Sequence, residues 1–85
     1  MAHYCKTCRS SLETIIQKAI EFFGPNGMGM PVKEDLKTED GHCICFKSDS
    51  GHIFMKASSR ANESEVEVEN HECDQQVKQF LETIA

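Results

Sequence analysis

Ile44 and Phe46, then Ile53, Met55 and Ala57, alternate with polar or small residues on either side of Ser48-Asp49-Ser50-Gly51. Period-two alternation closed by an Asp/Ser/Gly turn predicts a β-hairpin over residues 42–59. Pairing Lys47 with His52 sets Phe46 opposite Ile53 and Ile44 opposite Met55, so one face of the hairpin is apolar. Its other face then carries Cys43, Cys45 and Phe54. Residues 65–70, EVEVEN, alternate strictly, with Val66 and Val68 turned inward and Glu65, Glu67 and Glu69 turned outward. Residues 32–38, VKEDLKT, form a weaker edge strand in which Val32, Glu34 and Leu36 share a face. Without that strand, residues 24–41 would be a long loop of a kind uncommon in a small domain.

Two segments follow the helical period instead. Leu12, Ile15, Ile16, Ala19, Ile20 and Phe23 form one stripe, with Glu13, Gln17, Lys18 and Glu21 opposite. Ser10 and Glu13 have capping-box spacing, and Gly24-Pro25 ends the segment, with glycine suited to a left-handed terminal residue. Carried backwards, the stripe also takes in Cys5 and Cys8, which allows the helix to begin earlier, with both thiols in its first turns. Behind Asp74 as N-cap, Val77, Phe80, Leu81 and Ile84 repeat the pattern. The predicted fold is α+β: a two-layer sandwich of helix, antiparallel sheet of three or four strands, and helix (α-β-β-β-β-α), in a single domain over residues 1–85.

A chain of 85 residues buries a modest core and gains stability from a partner or a staple. Its formal net charge of −5 and its lack of a basic face argue against nucleic acid as a partner. No segment has the roughly 20 apolar residues that span a bilayer, so no membrane partner is expected. The N-terminal stretch MAHYCKTCRSS is charged and lacks the apolar centre of a signal peptide, and the cysteines number five, an odd count. Both observations predict a cytoplasmic protein without a disulfide framework.

Cysteine and histidine set the chemical question. His3 precedes Cys5 and Cys8, His42 abuts Cys43 with Cys45 beyond, and His71 precedes Cys73. Thiolate and imidazole are zinc ligands, and Cys5-x-x-Cys8 has the spacing of a zinc half-site. Cys5, Cys8, His71 and Cys73 form a closed four-ligand set if three strands separate the helices, because the helix N-termini then share one end of the sheet. With four strands the helices run antiparallel and the start of the His42 strand lies nearer, yet Cys43 and Cys45 then point away from the helices. The same CxxC before a helix also fits a dithiol redox centre, its thiol pKa lowered by the helix dipole. The commonest fate of a free cysteine, however, is that of a small packing residue.

No nucleophile elbow, phosphate loop or calcium loop occurs. Catalysis is therefore not expected, and neither is a cofactor, zinc being the alternative. The predicted function is binding, to another protein or to a second copy of the chain. The expected interface is the sheet face away from the helices, comprising Cys43, Cys45 and Phe54 beside Glu65, Glu67 and Glu69. The same glutamates also read as a solvated strand face whose charges deter edge pairing.

Overall fold

The structure, a computed structural model, describes residues 2–49 and 51–84. Among the described residues the elements run β1 (Ala2–Cys8), α1 (Leu12–Phe23), β2 (Val32–Lys37), β3 (Gly41–Ser48), β4 (Gly51–Arg60), β5 (Glu63–His71) and α2 (Asp74–Thr83). The five strands form one sheet in the order β1-β5-β4-β3-β2, every neighbouring pair antiparallel. The α+β layering follows the sequence expectation. The strand count does not: three or four strands were expected, all after the first helix, and a fifth precedes α1.

The central hairpin has the predicted register: Lys47 pairs with His52, Phe46 with Ile53 and Ile44 with Met55. Ser50, in its turn, lies outside the described residues. Ile44, Phe46, Ile53, Met55, Ala57, Val66 and Val68 point into one buried core, and both helices cover that face. In α1, Ile15, Ile16, Ala19 and Phe23 face the sheet, and in α2 Val77 and Phe80 do. Phe23 sits between Phe46 (ring centroids 5.6 Å apart) and Phe80 (5.0 Å), joining the helices to the sheet.

Four strands lie between the helices, so α1 and α2 run antiparallel. Helix α1 is capped by Ser11 rather than Ser10; the Ser11 hydroxyl accepts from the Thr14 amide at 3.2 Å. Gly24 ends it in extended rather than left-handed conformation, with φ −71°. Glycine is needed there for a different reason: a Cβ would lie 2.3 Å from the Ile20 carbonyl oxygen. Helix α2 is entered through Cys73, not Asp74, as N-cap. The buried Asn70 organises that entry, its Oδ1 accepting from the Cys73 amide at 3.0 Å and its Nδ2 donating to Asp74 at 3.2 Å.

Strand β1 is tied to the helix layer by its inward side chains. Lys6 donates from Nζ to the carbonyls of Leu81 (2.5 Å) and Ile84 (2.8 Å), and Tyr4 donates to Asp74 at 3.2 Å. Lys18 adds a bond to the Thr83 carbonyl at 3.2 Å. The last turn of α2 has no basic residue of its own, so lysines from β1 and α1 satisfy carbonyls that the helix leaves unpaired. In β2 the register slips between Val32 and Glu34. Val32 therefore pairs with inward Phe46 and Leu36 with outward Cys43, so the two do not share a face as the sequence pattern suggested. The extra residue of a bulge shifts the alternation by one.

Candidate functional site: the open face of the sheet

Paired residues of antiparallel strands point to the same side, so the register assigns both faces. One row of the uncovered face reads His3, Glu69, Phe54, Cys45 and Glu34 from β1 to β2. The next reads Cys5, Glu67, Lys56, Cys43 and Leu36, and beside it lie Thr7, Glu65 and Ser58. The structure thus brings Cys43, Cys45, Phe54, Glu65, Glu67 and Glu69 onto one face. It adds His3, Cys5 and Leu36, which β1 and the bulged β2 deliver. The alternation His3-Cys5-Thr7 against Tyr4-Lys6-Cys8 was the available signal for the first two.

This face has two halves. Phe54, 37% exposed, and Leu36, 61% exposed, make an apolar half with Cys43 and Cys45. Strand β5 supplies an acidic column, Glu65, Glu67 and Glu69. Arg60 lies 3.4 Å from the Glu65 carboxylate and His3 lies 3.9 Å from that of Glu67, both near the surface. Exposed pairs of this kind contribute little to stability. At one end of the face His52 and His71 stack across β4 and β5, ring centroids 5.7 Å apart.

The Cys5, Cys8, His71 and Cys73 set is not brought together. Cys5 is exposed on the open face, opposite Glu67, whereas Cys8 is buried on the helix face, opposite Ser64. Three residues of extended strand separate the two α-carbons by about 10 Å, beyond the ~7 Å that a disulfide permits. His71 lies seven residues along β5 from Ser64, about 23 Å away at the other end of the sheet. Cys73 is buried there beside α2. The CxxC occupies a strand rather than a turn because Tyr4 and Lys6 anchor it to α2. No group of three or more His, Cys, Asp and Glu side chains among the described residues has the arrangement to hold a metal ion.

Two thiols, one on each face, are held protonated by their surroundings. Burial raises the pKa of Cys73, and the carboxylates of Asp74 and Glu72 raise it further, which opposes thiolate formation. Cys45 is also raised, first by burial and then by Glu34, with Lys47 acting the other way. All five cysteines are free. On the helix side, a shallow groove between α1 and the sheet is lined by Ile16, Ile20, Lys37 and His42. There His42 Nε2 is hydrogen-bonded to Asp35, leaving the imidazole partnered.

No helix among the described residues is long and apolar enough to cross a membrane. Comparison of the chain with protein-family models, with curated proteins and with solved structures found no match.

Proposed function

We propose that this chain is a small cytosolic protein-binding domain without catalytic activity of its own, and that it binds through the open face of its sheet. The observation that carries the reading is Phe54. It stands on the middle strand of five, 37% exposed, on the face the helices leave bare. An antiparallel sheet tolerates one wet face when that face is polar. Here the centre of the face is an aromatic ring flanked by Cys45 and Glu69, with Cys43 and Leu36 in the next row. An apolar centre with a charged border is the anatomy of a recognition patch.

Photo-crosslinking in living cells tests this reading. Benzoylphenylalanine replaces Phe54 in one variant and Gln79, exposed on α2, in another. The expected result is a discrete protein adduct from position 54 that position 79 does not give. No adduct at 54, or the same adducts at both positions, overturns it.

A further inference from the structure

We propose that His52 and His71 form a two-imidazole site for a divalent transition metal ion of zinc's class, at the end of the open face nearest the turn between β3 and β4. The two residues pair directly across β4 and β5. Their neighbours Ile53 and Asn70, also paired, are buried against the helices, so both imidazoles stand on the uncovered side. The site does not depend on the reading of Phe54 as the centre of a binding surface.

The separation of the rings carries the inference. Directly opposed residues of an antiparallel pair keep their β-carbons about 4.5–5.5 Å apart. The ring centroids of His52 and His71 lie 5.7 Å apart, with their planes 15° from parallel. Two imidazoles on one tetrahedral ion, with metal–nitrogen bonds of about 2.0–2.1 Å, hold their centroids about 5 Å apart. Closing the pair on an ion takes a small approach of the rings and a turn about χ2, which aims one nitrogen of each at a common point. That torsion is broad in histidine, and the His71 side chain is 53% exposed, so no packed neighbour resists the turn. The sheet fixes both backbones, which confines the ordering cost to side-chain torsions.

The surroundings favour a cation. Glu69 stands two residues before His71 on the same face, and Glu72 Oε1 lies 3.7 Å from His71 Nε2. Lys47, paired with His52 on the other side, opposes them with one charge. The remaining two histidines are engaged elsewhere. His42 is bonded to Asp35 on the helix side, and His3 lies 3.9 Å from Glu67, on the side away from His71. No third side chain among the described residues completes the site, so positions on the ion are left for water or for a partner's side chain. Neutral imidazole selects Zn²⁺, Ni²⁺ and Cu²⁺ over Mg²⁺ and Ca²⁺, which take oxygen ligands. With two protein ligands the site binds more weakly than a closed structural zinc site, which has four.

Titration of the full chain with Zn²⁺ at neutral pH, followed by the ring-nitrogen resonances of its four histidines, reads the site directly. The signals of His52 and His71 are expected to shift together and to saturate at one ion per chain, while those of His3 and His42 stay in place. His52→Ala and His71→Ala each lower the affinity about tenfold or more, a loss of about 1.4 kcal/mol at least, and each abolishes the shift of the ring that remains. His3→Ala leaves the affinity within about twofold, a difference below 1 kcal/mol. Both substituted positions are on the sheet surface, and circular dichroism checks that the variants fold. Mg²⁺ at the same concentration gives no shift. Alkylation of the accessible thiols with iodoacetamide before the titration leaves the response unchanged, which separates the imidazoles from Cys43 and Cys45. No shift at millimolar Zn²⁺, two rings that titrate independently of each other, or a response lost on alkylation overturns the site.

Discussion

Lys6 ties β1, already paired along its length with β5, to the C-terminal end of α2, and its removal has a calculable cost. Lys6→Met keeps most of the side-chain stem and deletes the ammonium that donates to Leu81 O (2.5 Å) and Ile84 O (2.8 Å). Hydrogen bonds to a charged group contribute about 1.5–3 kcal/mol, and a cation at a helix C-terminus about 0.3–1 kcal/mol. The cost of partly desolvating the ammonium offsets some of this. A net loss of about 2 kcal/mol lowers the midpoint of thermal unfolding by about 8–16 °C for a chain of this size. Lys18→Met is the control, because Lys18 makes one longer bond (3.2 Å) to Thr83 O at an exposed site. Its cost is about 0.5 kcal/mol, a fall of about 2–4 °C. Thermal circular dichroism of the two variants beside wild type reads the difference. Equal shifts in both, or a shift below about 2 °C for Lys6→Met, would refute the assignment of Lys6 as the half-buried cap of α2.

Asn70→Ala removes the acceptor of the Cys73 amide and leaves that buried donor unpaired at the entry to α2. The expected loss is about 2 kcal/mol, seen as a lower urea midpoint at unchanged slope. Alkylation consumes the thiolate, so the rate at Cys45 climbs with pH through its raised pKa. Removing the Glu34 charge with Glu34→Gln moves that climb to lower pH, and Lys47→Gln moves it to higher pH. Site-resolved mass spectrometry of iodoacetamide labelling measures both shifts, and coincident profiles for all three proteins contradict the electrostatic assignment.

The hairpin was legible because Ile44, Phe46, Ile53 and Met55 are inward residues at strict period two, and burial penalises any slip of register by one. That alternation also placed Cys43, Cys45 and Phe54 on the opposite side. Strand β1 was not legible because its inward positions are Tyr4, Lys6 and Cys8. A lysine faces the helices there, for it caps carbonyls 75 and 78 residues away, and no local pattern encodes such a partner. With β1 hidden, Cys5-Lys6-Thr7-Cys8 read as a metal or redox turn, whereas strand alternation sends its two thiols to opposite faces. The bulge in β2 was hidden likewise, so Leu36 was assigned to the face of Val32 when it stands beside Cys43.

The central claim is that the open face is occupied where the protein works. Maleimide labelling of each cysteine in intact cells, against the same labelling of the dilute purified chain, measures this at the face itself. Cys8 and Cys73 are buried and serve as unreactive references in both settings. The account predicts that Cys43 and Cys45, both half-exposed, label in the dilute protein and are protected in cells. Equal labelling of both residues in the two settings would contradict it.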